Sequence, residues 1–143
     1  MIDQADLYAV DANVILRYLL DDDPKLAPRA RRIMAAVEAG RVRVHCDPVN
    51  LAEVIWVLGS YYNLPPADIA AGLLPVLHAE GFVVPDKPRY LRALALYGSG
   101  VHHFGDACAW AAAEADCQGR LFSFDKALAR RSGLAVADDA PAA

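Results

Sequence analysis

Cysteine, long apolar runs and an excess of positive charge are what this chain of 143 residues has little of. Its three cysteines, Cys46, Cys108 and Cys117, are odd in number and lack the paired spacing of zinc ligands. That argues against a disulfide framework or a zinc site and for buried free thiols. No apolar run reaches the roughly 18 residues of a membrane span. The start, Met1-Ile2-Asp3-Gln4-Ala5-Asp6, lacks the basic stretch of a secretory signal. The expectation is a cytoplasmic protein with no membrane partner. Linkers, repeats and low-complexity tracts are also missing, apart from a short Ala-Pro tail after Asp138. The economical reading is one domain over residues 1–137 and a loosely ordered tail over 138–143. Lys and Arg number 14 against 18 Asp and Glu, a formal net charge of −4, which argues against general affinity for nucleic acid. Distribution can override the sum. Arg29, Arg31 and Arg32, then Arg41 and Arg43, then Lys126, Arg130 and Arg131 form local basic clusters, which read either as phosphate contacts or as solvated helix faces.

Apolar periodicity alternates along the chain. Strands are expected over Leu7–Val10, Val42–Cys46, Phe82–Val84, Leu121–Phe124 and Leu134–Val136. Helices are expected over Asn13–Leu20, Pro24–Ala39, Pro48–Tyr61, Pro66–Glu80, Pro88–Tyr97, Asp106–Cys117 and Lys126–Arg131, with Pro75 kinking or interrupting the fourth. Such alternation predicts an α/β fold: a parallel central sheet of four to five strands flanked by about seven helices.

Within this pattern four acids stand out: Asp11, Glu53, Asp106 and Asp125. Asp11 closes a short apolar run and opens a helical pattern. Ligands of open α/β sheets bind beyond the carboxyl ends of strands, so an acid there is well placed for a site, although Asp is also a good helix N-cap. Asp125 repeats the arrangement after Leu121-Phe122-Ser123-Phe124. The two acids would lie side by side if their strands were neighbours in a parallel sheet. Asp106 falls at the start of a small-residue helix. Glu53 lies among Leu51, Ala52, Val54, Ile55, Val57 and Leu58, a helix that reads as largely buried. A buried carboxylate needs a cation, hydrogen bonds or a raised pKa. The other reading is an exposed stripe of Asn50, Glu53 and Trp56 or Val57. Clustered carboxylates suit Mg²⁺ or Mn²⁺, which neutralises charge at a phosphodiester and activates water.

Asp11-Ala12-Asn13-Val14-Ile15-Leu16-Arg17, Pro48-Val49-Asn50-Leu51-Ala52-Glu53-Val54, Phe104-Gly105-Asp106-Ala107 and Ser123-Phe124-Asp125 resemble, in order and approximate spacing, the motifs of PIN-domain ribonucleases. More narrowly they resemble those of VapC-type toxins of VapBC toxin-antitoxin modules. The resemblance runs from about Tyr8 to Val136. It implies a PIN-like fold and a Mg²⁺-dependent endoribonuclease, with Mn²⁺ as an alternative ion, that cuts RNA and so inhibits translation. Asp11, Glu53, Asp106 and Asp125 become the catalytic and metal-binding acids, with Asn13 and Ser123 as polar supports. It also implies a VapB-type antitoxin as partner, an RNA substrate and a homodimer, with the Tyr90–Tyr97 helix as a candidate surface. One departure is plain: relatives often carry a further acid where this chain has His103.

Several residues stay open between function and structure. His102 and His103 invite a role beside Asp106, but adjacent residues point in different directions, and neither joins the catalytic set. Arg17 lies near Asn13 yet has Asp21 as a pairing partner one turn on. Trp56, Tyr61 and Tyr62 suit base stacking or core packing. Leu16, Tyr18, Leu19 and Leu20 with Ile33, Met34 and Val37 offer more apolar surface than one sheet-facing stripe requires, as either an antitoxin groove or core. Two rival functions remain: a PIN-fold scaffold that binds RNA or protein without cutting, and a metal-dependent nuclease or phosphotransfer enzyme acting on a different substrate, such as DNA flaps.

Overall fold

The structure, a computed structural model, describes residues 4–142. Five strands and seven helices alternate among them, and every strand pairing is parallel. The α/β class expected from periodicity is therefore the class observed. The chain divides into two compact units, one running to Lys87 and one beginning at Pro88.

The first unit holds β1 (Asp6–Val10), α1 (Ala12–Leu20), α2 (Leu26–Glu38), β2 (Val42–Cys46), α3 (Pro48–Ser60), α4 (Pro66–His78) and β3 (Phe82–Val83). Its sheet has the order β1-β2-β3, with Val10 in register with Cys46 and Val44 with Phe82. Parallel neighbours need a crossover between them, and the intervening helices supply it. The core between sheet and helices is built from side chains with almost no exposed surface, among them Ile15, Val37, Leu51, Val54, Ile69, Leu73, Leu77 and Phe82. On α3 the buried residues are Leu51, Val54, Ile55 and Leu58, a single stripe at helical spacing. The start of α3 follows ordinary capping chemistry. Asp47 accepts from the Val49 N–H at 2.9 Å, and Pro48 follows where a missing N–H costs nothing. Helix α4 continues through Pro75 without the interruption its sequence suggests. Proline clashes with the turn before it, and Ala71 and Gly72 there are small.

The second unit holds most of α5 (Lys87–Gly98), then α6 (Phe104–Asp116), β4 (Arg120–Phe122), α7 (Lys126–Ser132) and β5 (Ala135–Ala137). Its sheet is the two-strand ladder β4-β5, with Leu121 in register with Val136. Residues 138–142 carry neither helix nor strand. Helices α5 and α6 bury Ala93, Leu94, Ala107, Trp110 and Ala111. Two ion pairs join them: Arg89 to Asp116 at 2.7 Å and Arg92 to Glu114 at 3.2 Å. At the turn between the helices, the Tyr97 ring meets Phe104 edge to face with centroids 5.9 Å apart.

Two expectations change. The five strands form ladders of three and two, and β4 pairs with β5 instead of β1. Adjacency of Asp11 and Asp125 through neighbouring strands is therefore not part of either hydrogen-bonded ladder. Periodicity records which face of a strand is apolar, not which strand lies beside it. The thiols change as well. All three are free, but only Cys46 is fully buried; Cys108 is half-buried and Cys117 exposed. Burial pushes the Cys46 and Cys108 thiols up to about 11, with Asp47 adding to the effect at Cys46.

Candidate active-site acids

Asp11 is the N-cap of α1. Its backbone is extended (φ −97°, ψ 172°), and its Oδ1 accepts from the Val14 N–H at 3.2 Å. The cap engages one oxygen and leaves the other free in solvent. Asn13, in the first turn of the same helix, is exposed. Asp125 is built the same way on α7: its backbone is extended and Oδ1 accepts from the Leu128 N–H at 3.0 Å. Ser123 adds a second constraint, because its hydroxyl oxygen accepts from the Asp125 backbone N–H at 3.0 Å. The Ser-x-Asp segment is thus a short side-chain turn that fixes the backbone carrying the carboxylate.

Asp106 stands in the first turn of α6, half-buried, where the helix dipole favours a negative charge. His103 occupies the N-cap with no side-chain cap bond, and the rings of His102 and His103 meet edge to face at 4.3 Å. Both histidines are exposed.

Glu53 corrects an expectation. Helix α3 is not apolar and buried all round. Its buried stripe leaves Ala52, Glu53 and Trp56 outside, and Val49 and Trp56 are 76% and 64% exposed. Glu53 therefore escapes the desolvation cost anticipated for it. The sequence misleads here because Ala52, one of the apolar neighbours, is exposed and Val57, another, is only half-buried.

The basic residues are also redistributed. Arg17 approaches Asp22 at 3.6 Å and donates to the Tyr62 hydroxyl at 3.4 Å, which raises the guanidinium pKa. Asp21, its expected partner, instead pairs with Arg31. Arg43 donates to the Ala5 carbonyl at 3.1 Å, and Arg131 donates to the carbonyls of Ser99 and Gly100. Arg17, Arg31, Arg43 and Arg131 are thus held by the fold. The side chains of Arg29, Arg32, Arg41, Lys126 and Arg130 have no hydrogen bond or ion pair among the described residues.

As donors, the four acids fit a hard divalent cation. Such ions take carboxylate oxygen, and none of the four is neutralised by an Arg or Lys ion pair among the described residues. Asp11 and Glu53 belong to the first unit, whose α1 and α3 pack together, and Asp106 and Asp125 belong to the second. Among the described residues no three His, Cys, Asp or Glu side chains form a group that could hold a metal ion. Nothing in the sequence signalled the Arg131 contact, since Ser99 and Gly100 lie far from it in the chain and accept through backbone oxygens.

An α/β fold of parallel strands, with acids at the starts of α1, α6 and α7 and a fourth on α3, defines a class. A family model described as PIN domain matches residues 8–134. The chain belongs to the PIN domain family, and PIN domains are generally metal-dependent nucleases, so a nuclease-type function goes with the class. Comparison with curated proteins and with solved structures gives no match.

Proposed function

We propose that this chain is a metal-dependent endoribonuclease acting as the toxin of a VapBC-type toxin-antitoxin pair. The observation that carries the reading is the set Asp11, Glu53, Asp106 and Asp125 on a PIN-family chain, each with carboxylate oxygen free of any basic partner among the described residues. These four would hold Mg²⁺, or Mn²⁺ in its place. A bound divalent ion supplies a water of lowered pKa and neutralises charge on the phosphate. The chain's own part is to present the oxygens. Capping bonds fix Asp11 and Asp125 on one oxygen and leave the second available, and Ser123 holds the Asp125 backbone. Asp106 is oriented by the first turn of α6. His103 leaves the third motif one carboxylate short of the pattern in many relatives, so the acid share of metal binding falls on the quartet.

The partner reading has support in the first unit. A groove of about 510 Å³ runs between α1, α2 and α4, lined by Tyr18, Leu19, Met34 and Val76 with Asp21 and Glu38. Part of the apolar set suggested for it is core instead: Leu16 and Val37 are buried, as is most of Met34. Tyr18 and Leu19 remain for an amphipathic antitoxin segment. For a homodimer, α5 offers little, because Ala93, Leu94, Leu96 and Tyr97 are buried and Arg89 and Arg92 pair with α6. Exposed Val49, Trp56 and Tyr61 are the better surface.

The test is cleavage of a panel of RNA and DNA by metal-stripped protein with Mg²⁺ or Mn²⁺ restored, beside Asp106→Asn. RNA cutting that needs the metal and is lost in the variant supports the nuclease. Folded protein, free of any partner, that binds RNA but cuts nothing with either metal favours a binding scaffold.

A further inference from the structure

We propose that Arg131 is a positioning residue for the two acids of the second unit, tying the approach to α6, where Asp106 stands, to α7, which Asp125 caps. The inference rests on the metal-site reading above. Helix α5 ends at Gly98, and its last carbonyls carry the negative end of the helix dipole. The chain then turns: Ser99 N–H closes on Ala95 at 3.0 Å, Gly100 N–H on Tyr97 at 3.2 Å and Val101 N–H on Leu96 at 3.1 Å. Val101 is only 3% exposed, so the turn is pinned from inside. From outside, one guanidinium closes it. Nη2 of Arg131 donates to the Ser99 carbonyl at 2.6 Å and Nη1 to the Gly100 carbonyl at 2.9 Å.

A planar fork gripping two successive carbonyls fixes orientation as well as distance, which a lysine ammonium cannot do. The backbone is shaped to receive it. Gly100 has φ +110°, a conformation side chains resist, and a Cβ there would stand 3.1 Å from Nη1 and 3.3 Å from Nη2. Beyond Gly100, Val101 and the two histidines lead into α6 and Asp106, and the Tyr97–Phe104 ring contact ties the end of α5 to the start of α6. Arg131 lies in the last turn of the helix that Asp125 opens. One side chain therefore joins the segment that sets Asp106 to the element that carries Asp125.

The experiment has two readouts besides activity, made on the full chain with Arg131→Ala, Arg131→Lys and Gly100→Ala. Amide hydrogen exchange should rise about tenfold at Gly100, Val101 and Ala107 in Arg131→Ala, with Val44 and Phe82 in the first unit unchanged. Mg²⁺ titration followed through the backbone amide resonances of Asp106 and Asp125 should show half-saturation moved to about fivefold higher metal. Arg131→Lys should fall between wild type and Arg131→Ala, and Gly100→Ala should resemble Arg131→Ala. Unchanged exchange around Gly100, an unmoved Mg²⁺ midpoint, or full rescue by lysine overturns the proposal. RNA cleavage measured beside these separates the two readings. A wild type that binds Mg²⁺ at both acids, binds it about fivefold more weakly in Arg131→Ala and cuts no RNA refutes the nuclease and supports the clamp.

Discussion

Replacing Asp125 separates two roles that one carboxylate holds. In the structure its Oδ1 accepts from Leu128 N–H at 3.0 Å and starts a helix of only 7 residues. Helices this short do not persist on propensity alone, so the cap and the burial of Leu128 matter to α7. Asp125→Ala removes the acceptor and leaves an N–H without a partner, a loss of about 1 kcal/mol. For a chain of this size that corresponds to a fall in Tm of about 3–5 °C. Asp125→Ser keeps a capping oxygen and should cost no more than a few tenths of that energy, about 1 °C. Cleavage should respond differently, because serine restores the cap but not the anionic metal ligand: both variants should lose at least about a hundredfold in turnover. Thermal unfolding and metal-dependent RNA cleavage of the same preparations give the two numbers. Equal destabilisation by serine and alanine would refute the capping argument, and near-normal cleavage by Asp125→Ser would refute the metal role.

Other outcomes follow from burial and titration. Leu73→Ala, at a fully buried position, should lose about 2–5 kcal/mol by denaturant unfolding. Trp56→Ala, at a mostly exposed one, should lose less than about 1 kcal/mol. Cys117 should be alkylated first under native conditions and Cys46 last, read by peptide mass, since the one is exposed and the other is buried with its thiol pushed up to about 11. The same shift sets a pH dependence. Between the ordinary thiol value of 9.0 and about 11 the unfolded chain has lost the Cys46 proton that the folded chain keeps. Stability should therefore fall as pH rises through that window, and Cys46→Ala should flatten the fall in urea titrations at pH 8.5 and 11.

Much of the fold was legible because the signals are local. Pro48 after Asp47, the small-residue run after Asp106 and the apolar stretch at Val42–Cys46 each specify an element through capping, size or alternation, and the observed boundaries lie close to those read from the chain. What failed was non-local. Ladder membership depends on which strand reaches which, so five expected strands could not announce their division into three and two. The apolar neighbours Leu51, Ala52, Val54, Ile55, Val57 and Leu58 suggested burial for Glu53, whereas exposure is decided by what covers α3. Asp11, Asp106 and Asp125 were visible as residues at helix starts, and Ser123 was visible beside Asp125. The Arg131 contact was not, because a backbone carbonyl leaves no trace in the identity of the residue that carries it.

The most direct test of the central claim is single-turnover RNA cleavage in Mg²⁺ by Asp11→Asn, Glu53→Gln, Asp106→Asn and Asp125→Asn, each checked for wild-type folding. The account predicts that every one falls by at least about a hundredfold, with binding of uncut RNA largely kept. Two acids from one unit proving essential while the other two tolerate substitution would contradict it.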